Sequence, residues 1–355
     1  MIIPGGNETF DLEGEIRVTK INGLLPFSLL RFFSVLLGVE RVTSLYLYDL
    51  LFLLRALPIV LKSDLVQIDT PVPGGAFITF FLARVFGKSV VIDAHDVFQA
   101  LRIEYANILR KIIEIPMERM AYKNAKLILT VSEMDKAFLV RYGIREGKII
   151  VIPNGVDPAV FALSVDAEEH VKNRIKLKNF LTVIFVGNME YSPNEEAVDF
   201  IAEKLAPRIL DEIRNVRFLM VGRKPSKLPS ASGLIFSGVV QDVAQYLVAS
   251  DVAIAPLLRG SGSRLKVLEY LSCGLPVVST SVGVEGLKVE NGVNVLVEDD
   301  LDKFHTRVIE LLRDENLRIS LGRSGRDLTL KEYDWGVIGK RLSATYRRLN
   351  RTVKN

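Results

Sequence analysis

One pattern governs residues 65 to 297: a short apolar run, a turn of glycine or polar residues, then a stretch with helical spacing. In the first half such runs occupy residues 65–69, 89–93, 127–132 and 148–152. In the second they occupy 181–186, 216–221, 234–237, 252–255, 276–280 and 294–297. A run such as Val252-Ala253-Ile254-Ala255 has no polar face, so it fits a strand covered on both sides. Strands of this type separated by helices pair in parallel, because the helix carries the chain back to the same edge. The pattern predicts an α/β chain.

The repeat lapses once. Residues 161–179 are charged and aperiodic, with Glu168, Glu169, Lys172, Arg174, Lys176 and Lys178, and 355 residues suffice for two cores. The expected domains are residues 1–165 and 166–332. An amphipathic helix in 333–355 is expected to pack back toward the first of them. Several runs of the second half end in glycine: Gly187, followed by Asn188, then Gly222 and Gly238. Ligands of open parallel sheets lie at the carboxyl ends of strands. These residues are therefore expected to line a cleft between two doubly wound, Rossmann-like domains.

Composition narrows the setting. A net charge of +4 suits phosphorylated ligands or an anionic membrane surface, and is too weak to argue for nucleic acid. The single cysteine, Cys273, excludes an internal disulfide and a multi-cysteine metal site. Its place on an apolar helix face predicts a buried, inert thiol. Residues 24–61 are the most apolar, but Pro26, Arg31, Arg41, Asp49, Arg55 and Pro58 interrupt them. No run there reaches the roughly 18–20 residues a spanning helix needs. With Pro4-Gly5-Gly6 so close behind Met1 no signal sequence is visible, and a cytoplasmic protein is expected. Helices over 25–37 and 45–61 either pack on a sheet or rest on the inner face of the membrane through Arg31, Arg55 and Lys62.

The densest chemistry lies in residues 256–280. Gly260 and Gly262, with Ser261 and Ser263, form a loop whose backbone turns tightly and approaches a ligand closely. A helix starting near Ser263 sets Leu265, Leu268 and Leu271 at core spacing, and Gly274 stops it. The helix N-terminus attracts anions, and Arg264 and Lys266 add two positive charges. Glu269, further along, is placed for a hydroxyl-bearing part of the same ligand. Phosphate next to a sugar diol describes a nucleotide site.

Taken in order, the blocks of this chain resemble the retaining nucleotide-sugar-dependent glycosyltransferases of family 4, which have the two-domain GT-B fold. The first half contributes Val91-Ile92-Asp93-Ala94-His95-Asp96, Thr130-Val131-Ser132-Glu133, and Val151-Ile152-Pro153-Asn154-Gly155-Val156-Asp157 with Phe161. The second contributes Val186-Gly187-Asn188, Val221-Gly222, Phe236-Ser237-Gly238, Ser250-Asp251-Val252-Ala253, the glycine loop and its helix, Gly283-Val284-Glu285-Gly286, and the helix from Trp335 to Tyr346. The resemblance implies an acceptor-side first domain and a donor-binding second domain. It implies transfer of a sugar from a nucleoside-diphosphate sugar to a hydroxyl of a glycan or lipid-linked acceptor, with retention of configuration and without a metal or cofactor. Glu269 then resembles the glutamate that binds the donor's ribose hydroxyls, and Arg264 and Lys266 the cations that hold its diphosphate. His95 resembles the histidine beside the transferred sugar, and the leaving phosphate takes the acceptor's proton.

Three departures stand out. Ser261 occupies the place of the family's first glutamate. Residues 188–194 lack the basic pair that many members carry after this strand. The family's opening strand, glycine loop and helix are not visible before residue 60. The first departure keeps open a catalytically degenerate nucleotide-sugar-binding protein, beside a sugar-nucleotide epimerase of the same fold. A dehydrogenase is disfavoured, because no G-x-G-x-x-G follows an early strand. His95 is also readable as a strand-end histidine satisfied by its neighbours. Asp300-Leu301-Asp302 has metal-binding spacing, but it stands where a helix begins and is expected to cap it.

Overall fold

The computed structural model describes residues 2–4, 9–12, 16–21, 57–58, 60–69, 75–95, 97, 115–157, 177–225, 227–229, 231–259 and 264–354. The expected helix over 25–37, most of that over 45–61, residues 101–114 and most of the 161–179 segment lie outside them. The chain divides into two units, residues 1–152 with 353–355, and residues 153–352.

The first unit opens with β1 (Ile2–Pro4), β2 (Thr9–Leu12) and β3 (Ile16–Ile21), in the order β1-β3-β2. β3 runs parallel to β1 and antiparallel to β2. Nothing in the sequence reading anticipated β2, whose four residues are too few to show a period. The main sheet contains β4 (Leu65–Asp69), β5 (Ser89–Ala94), β6 (Leu127–Thr130) and β7 (Ile149–Val151), all parallel and in chain order. Helices α1 (Gly75–Val85), α2 (Ile115–Asn124) and α3 (Glu133–Arg141) lie along its connections. Val66, Ile68, Val90, Ile92 and Ile128 pack with Phe80, Ala83, Ala121 and Leu139 in one core. Ser132 caps α3: its hydroxyl accepts from the Asp135 amide at 3.0 Å and donates to the Asp135 carboxylate at 2.6 Å.

The second unit has six parallel strands, β8 (Leu181–Val186), β9 (Val216–Val221), β10 (Leu234–Gly238), β11 (Val252–Ala255), β12 (Val277–Ser279) and β13 (Leu296–Val297). Their order is β10-β9-β8-β11-β12-β13. The chain thus winds outward from β8 one way, then returns to β8 and winds out the other way, as a Rossmann sheet does. Helices α4 (Ser192–Phe200), α5 (Ala206–Glu212) and α8 (Leu301–Arg313) cover one face, over Val183, Phe185, Phe218, Met220 and Ile254. Helices α6 (Val243–Val248) and α7 (Leu265–Ser272) cover the other, over Ile184, Leu219, Ala253 and Val277. Both halves of the chain are therefore parallel-sheet α/β units, as the strand–helix alternation predicts. A π turn, Ile201–Leu205, joins α4 to α5, just ahead of Pro207. The proline offers no N–H to the usual i−4 carbonyl, and the wider turn absorbs that loss.

After α8 come α9 (Glu315–Leu328), a π turn, Thr329–Tyr333, and α10 (Trp335–Lys354). The motif around Asn154 has a structural task here. The Val156 amide donates to the Tyr333 carbonyl at 2.8 Å, and the Trp335 amide donates to the Val156 carbonyl at 3.2 Å. A Cβ on Gly155 would come within 2.8 Å of Ile338, Trp335 and Tyr333. No helix among the described residues is long and apolar enough to cross a membrane.

Helix α7 is tied to the sheet through Tyr270, which is fully buried and accepts a hydrogen bond from the Val186 amide at 2.8 Å. Tyr270→Phe keeps the ring but leaves that buried amide unpaired. It is expected to cost about 1–3 kcal/mol, measured as a lowered midpoint in urea denaturation; an unchanged midpoint would show that the bond contributes nothing net.

Candidate functional site

Where the strand order reverses, β8 and β11 pair only at Val183–Val252 and Ile184–Ala253. Beyond that point the two strands separate and open a crevice at their carboxyl ends. Gly187 and Asn188 leave β8 there, Gly222 follows β9, and Gly238 ends β10. These ends are laced together: Gly187 donates its amide to Val221 at 2.9 Å, Gly222 to Gly238 at 3.1 Å, and Met189 to Arg223 at 3.0 Å. Gly222 has φ +126°, and a Cβ on it would lie 2.1 Å from the Gly187 carbonyl oxygen. Only glycine permits this approach. The structure thus brings Gly187, Asn188, Gly222 and Gly238 together on one rim.

The cations enter from α7. Lys266 Nζ donates to Asn194 Oδ1 at 2.6 Å and stands 4.3 Å from the centre of the Phe185 ring. Asn194, itself buried, donates through Nδ2 to the Asn188 carbonyl at 2.8 Å. Gly187 makes room for this group, since a Cβ there would come 2.9 Å from Asn194 Nδ2 and 3.1 Å from Lys266 Nζ. An amide oxygen and a ring face support an ammonium without cancelling its charge. Desolvation, with the Arg264 guanidinium adding to it and Glu269 opposing it, brings the Lys266 pKa down to about 7. Arg264 is buried and pairs with Glu285 Oε2 at 3.0 Å. Burial holds the half-buried Glu269 carboxyl above its ordinary range, against the pull of Lys266. Its carboxylate makes no hydrogen bond or ion pair among the described residues. Perturbed groups gathered at a strand-end crevice are a mark of functional sites.

Gly260, Ser261, Gly262 and Ser263 lie outside the described residues. The chain just before them is anchored by Arg259, whose Nε donates to both Glu196 oxygens at 2.9 and 3.0 Å and whose NH2 donates to Ser192 at 2.6 Å. The described helix begins at Leu265, two residues later than the sequence suggests, with no side-chain cap. Burial pushes the Cys273 thiol up to about 12, so it stays protonated. Asp300 accepts from the Asp302 amide at 3.0 Å and caps α8.

His95 belongs to the first unit, at the carboxyl end of β5. Its Nε2 lies 3.4 Å from Asp93 Oδ2, which also accepts from Gln67 Nε2 at 3.0 Å. Asp69 is the register partner of Asp93 across the β4–β5 pair. Burial and then Asp93 raise the Asp69 pKa, while His95 lowers it.

Asn194, Phe185, Tyr270 and Glu285 were not singled out as site residues from sequence. They lie 72, 81, 84 and 21 positions from the groups they serve, and no local period joins such pairs. Residues 188–194 do lack a cation, and the fold brings one to them from beyond β9: Arg223 pairs with Glu190 there at 3.1 Å.

Comparison with known proteins supports a glycosyltransferase of the GT-B type. The family described as Glycosyltransferase Family 4 matches residues 19–160, and the family described as Glycosyl transferases group 1 matches residues 181–314. An uncharacterised glycosyltransferase of Methanocaldococcus jannaschii is 21% identical over 301 residues, 81% of this chain and 75% of its own length. The GDP-mannose-dependent monoacylated alpha-(1-6)-phosphatidylinositol monomannoside mannosyltransferase of Corynebacterium glutamicum is 26% identical over 208 residues, 54% of each chain. This chain therefore spans about half the length of that second relative. Among solved structures, Anabaena HepE in complex with UDP and glucose matches with a TM-score of 0.68 at 14% identity, over 94% of this chain and 87% of its own. At that identity the likeness is one of fold.

Lys266→Met removes a desolvated cation and keeps an apolar stem. The lysine's folded pKa lies below its unfolded value near 10.4, so between about 7 and 10 the unfolded state binds more protons and wild-type stability rises with pH. The variant is expected to be more stable than wild type near pH 6, with the difference shrinking as pH climbs to 10. Denaturation midpoints across that range check this, and a difference independent of pH would contradict the placement of Lys266.

Proposed function

We propose that this chain, a glycosyltransferase of the GT-B type, transfers a sugar from a nucleoside-diphosphate sugar to a hydroxyl acceptor with retention of configuration. The observation that carries this reading is the grouping of Lys266, Arg264 and Glu269 on one short helix at the crevice where the strand order reverses. A diphosphate leaving group gathers negative charge as the glycosidic bond breaks. Lys266 supplies a positive charge held in place by Asn194 and Phe185, so little reorganisation is needed when that charge develops. Arg264 adds to the field from its ion pair with Glu285. Glu269 has both carboxylate oxygens to offer the ribose hydroxyls. The rim of Gly187, Asn188, Gly222 and Gly238 lets the main chain come close to a bound nucleotide.

In the first unit, Asp93 orients His95, and the imidazole is assigned to the transferred sugar. Retention follows the family's route, in which the leaving phosphate accepts the acceptor's proton and no metal or cofactor takes part. The related proteins favour no single donor base: one is named for GDP-mannose, and another was solved with UDP. The Corynebacterium relative is named for a phosphatidylinositol-linked acceptor, which favours a lipid-linked or glycan acceptor for this chain, met on the cytoplasmic side.

Incubation with a panel of UDP- and GDP-sugars, assayed for nucleoside diphosphate release, is the direct test. Glu269→Ala is expected to weaken nucleotide binding at least tenfold, about 1.4 kcal/mol. Lys266→Ala is expected to lower kcat more than binding. NMR of the product's anomeric proton checks retention. Tight nucleotide binding without release from any donor would point instead to a degenerate binding protein, the reading that Ser261 keeps open. Full activity in both variants would refute the site.

A further inference from the structure

Three of the four strands of the first unit's parallel sheet are entered through a lysine. Lys88, Lys126 and Lys148 directly precede β5, β6 and β7, and Lys62 stands three residues before β4, with the exposed Asp64 between. Because the strands are parallel, these residues share the amino-end edge of the sheet, opposite to Asp69, Asp93 and His95. Arg84 at the end of α1 and Arg145 join them. Lys88 is held to the Leu61 carbonyl at 2.6 Å, and Lys148 to the carbonyls of Lys123 and Ala125 at 2.8 Å each. Lys62, Arg84, Lys126 and Arg145 are exposed. The cations are crowded enough to act on one another: burial first, then Arg145, Arg84 and Lys126, hold Lys148 below its ordinary range. Nearby Glu146 is taken up by Lys136 at 3.0 Å. The edge presents a positive field well in excess of its acidic residues.

Large apolar side chains share this end of the unit. Phe81 and Val85, one turn apart on α1, are 54% and 61% exposed, and Phe86 and Leu61 are 43% and 42% exposed. Phe86 follows the helix directly, and Leu61 is tied to Lys88 through its carbonyl. A polyanion such as nucleic acid would meet the charge but gain nothing from Val85 and Leu61. Exposed apolar groups beside a basic patch suit a surface that is anionic at its headgroups and apolar beneath them.

We propose that the amino-end edge of this sheet docks on an anionic phospholipid surface. Phe81, Val85 and Phe86 enter the headgroup boundary, and Lys62, Arg84 and Lys126 meet lipid phosphates. The surface uses no residue of the donor site, so it stands or falls separately from the transferase reading.

Co-sedimentation of the whole chain with vesicles of phosphatidylcholine alone, or with added phosphatidylglycerol, tests it. Binding is expected with phosphatidylglycerol, weak without it, and reduced by salt. Each neutralised cation is expected to weaken partitioning about fivefold, so Arg84→Gln with Lys126→Gln should lose roughly 25-fold. Phe81→Ser with Phe86→Ser should also reduce binding. Unchanged thermal denaturation in the charge variant confirms that it is folded. Three results would overturn the proposal: no binding to phosphatidylglycerol vesicles, equal binding to both vesicle types, or full binding by the folded charge variant.

Discussion

Past Ala253, strand β11 continues its ladder with β12 while β8 continues its own with β9. The separation leaves the Val186 amide without a strand partner, and a bare amide in the core would be costly. The Tyr270 hydroxyl supplies the bond. With that bond, one residue of α7 fixes the helix against the mouth of the crevice, and its neighbours Glu269 and Lys266 inherit their positions. The split in the sheet and the placement of the site are one event.

Buried charge on this helix is handled in two ways. Arg264 meets an opposite charge in Glu285, whose attraction counters part of the cost of its burial. Lys266 is held by an amide oxygen and an aromatic face, with Glu269 attracting it without a direct ion pair among the described residues. That support holds the ammonium in place, so an arriving anion has no salt bridge to displace. The difference suits a division of labour, with the arginine shaping the crevice and the lysine meeting the ligand. Gly187 belongs to the same arrangement, because any side chain there would displace the Asn194–Lys266 bond.

A parallel sheet has two unlike ends, and in the first unit they differ in character. At the carboxyl ends of β4 and β5 lie Asp69, Asp93 and His95, with Gln67 bound to Asp93. At the amino ends lie the lysines that introduce β5, β6 and β7, next to the exposed side chains of α1. The proposed docking edge and the end that carries His95 therefore share no surface.

The parallel strands, the helices between them and the cation-bearing turn into α7 were legible in the sequence, because each rests on a period or a turn signal a few residues long. Runs such as Val252–Ala255 announce two-sided burial, and Gly274 announces the end of α7 with φ +73°. β2, Thr9-Phe10-Asp11-Leu12, has no continuous apolar run, and four residues are too few for its alternation to stand out. The partners of the site residues were beyond local reading as well: Asn194 under Lys266, Tyr270 at Val186, Asp69 beside Asp93. Each pairing depends on strand order, and strand order is set by how distant segments bury one another. The sequence by itself determined which elements form and which charges gather near Gly260. Only the tertiary structure decided where the sheet splits, and so which neutral groups hold Lys266, because that choice is made by packing between residues far apart in the chain.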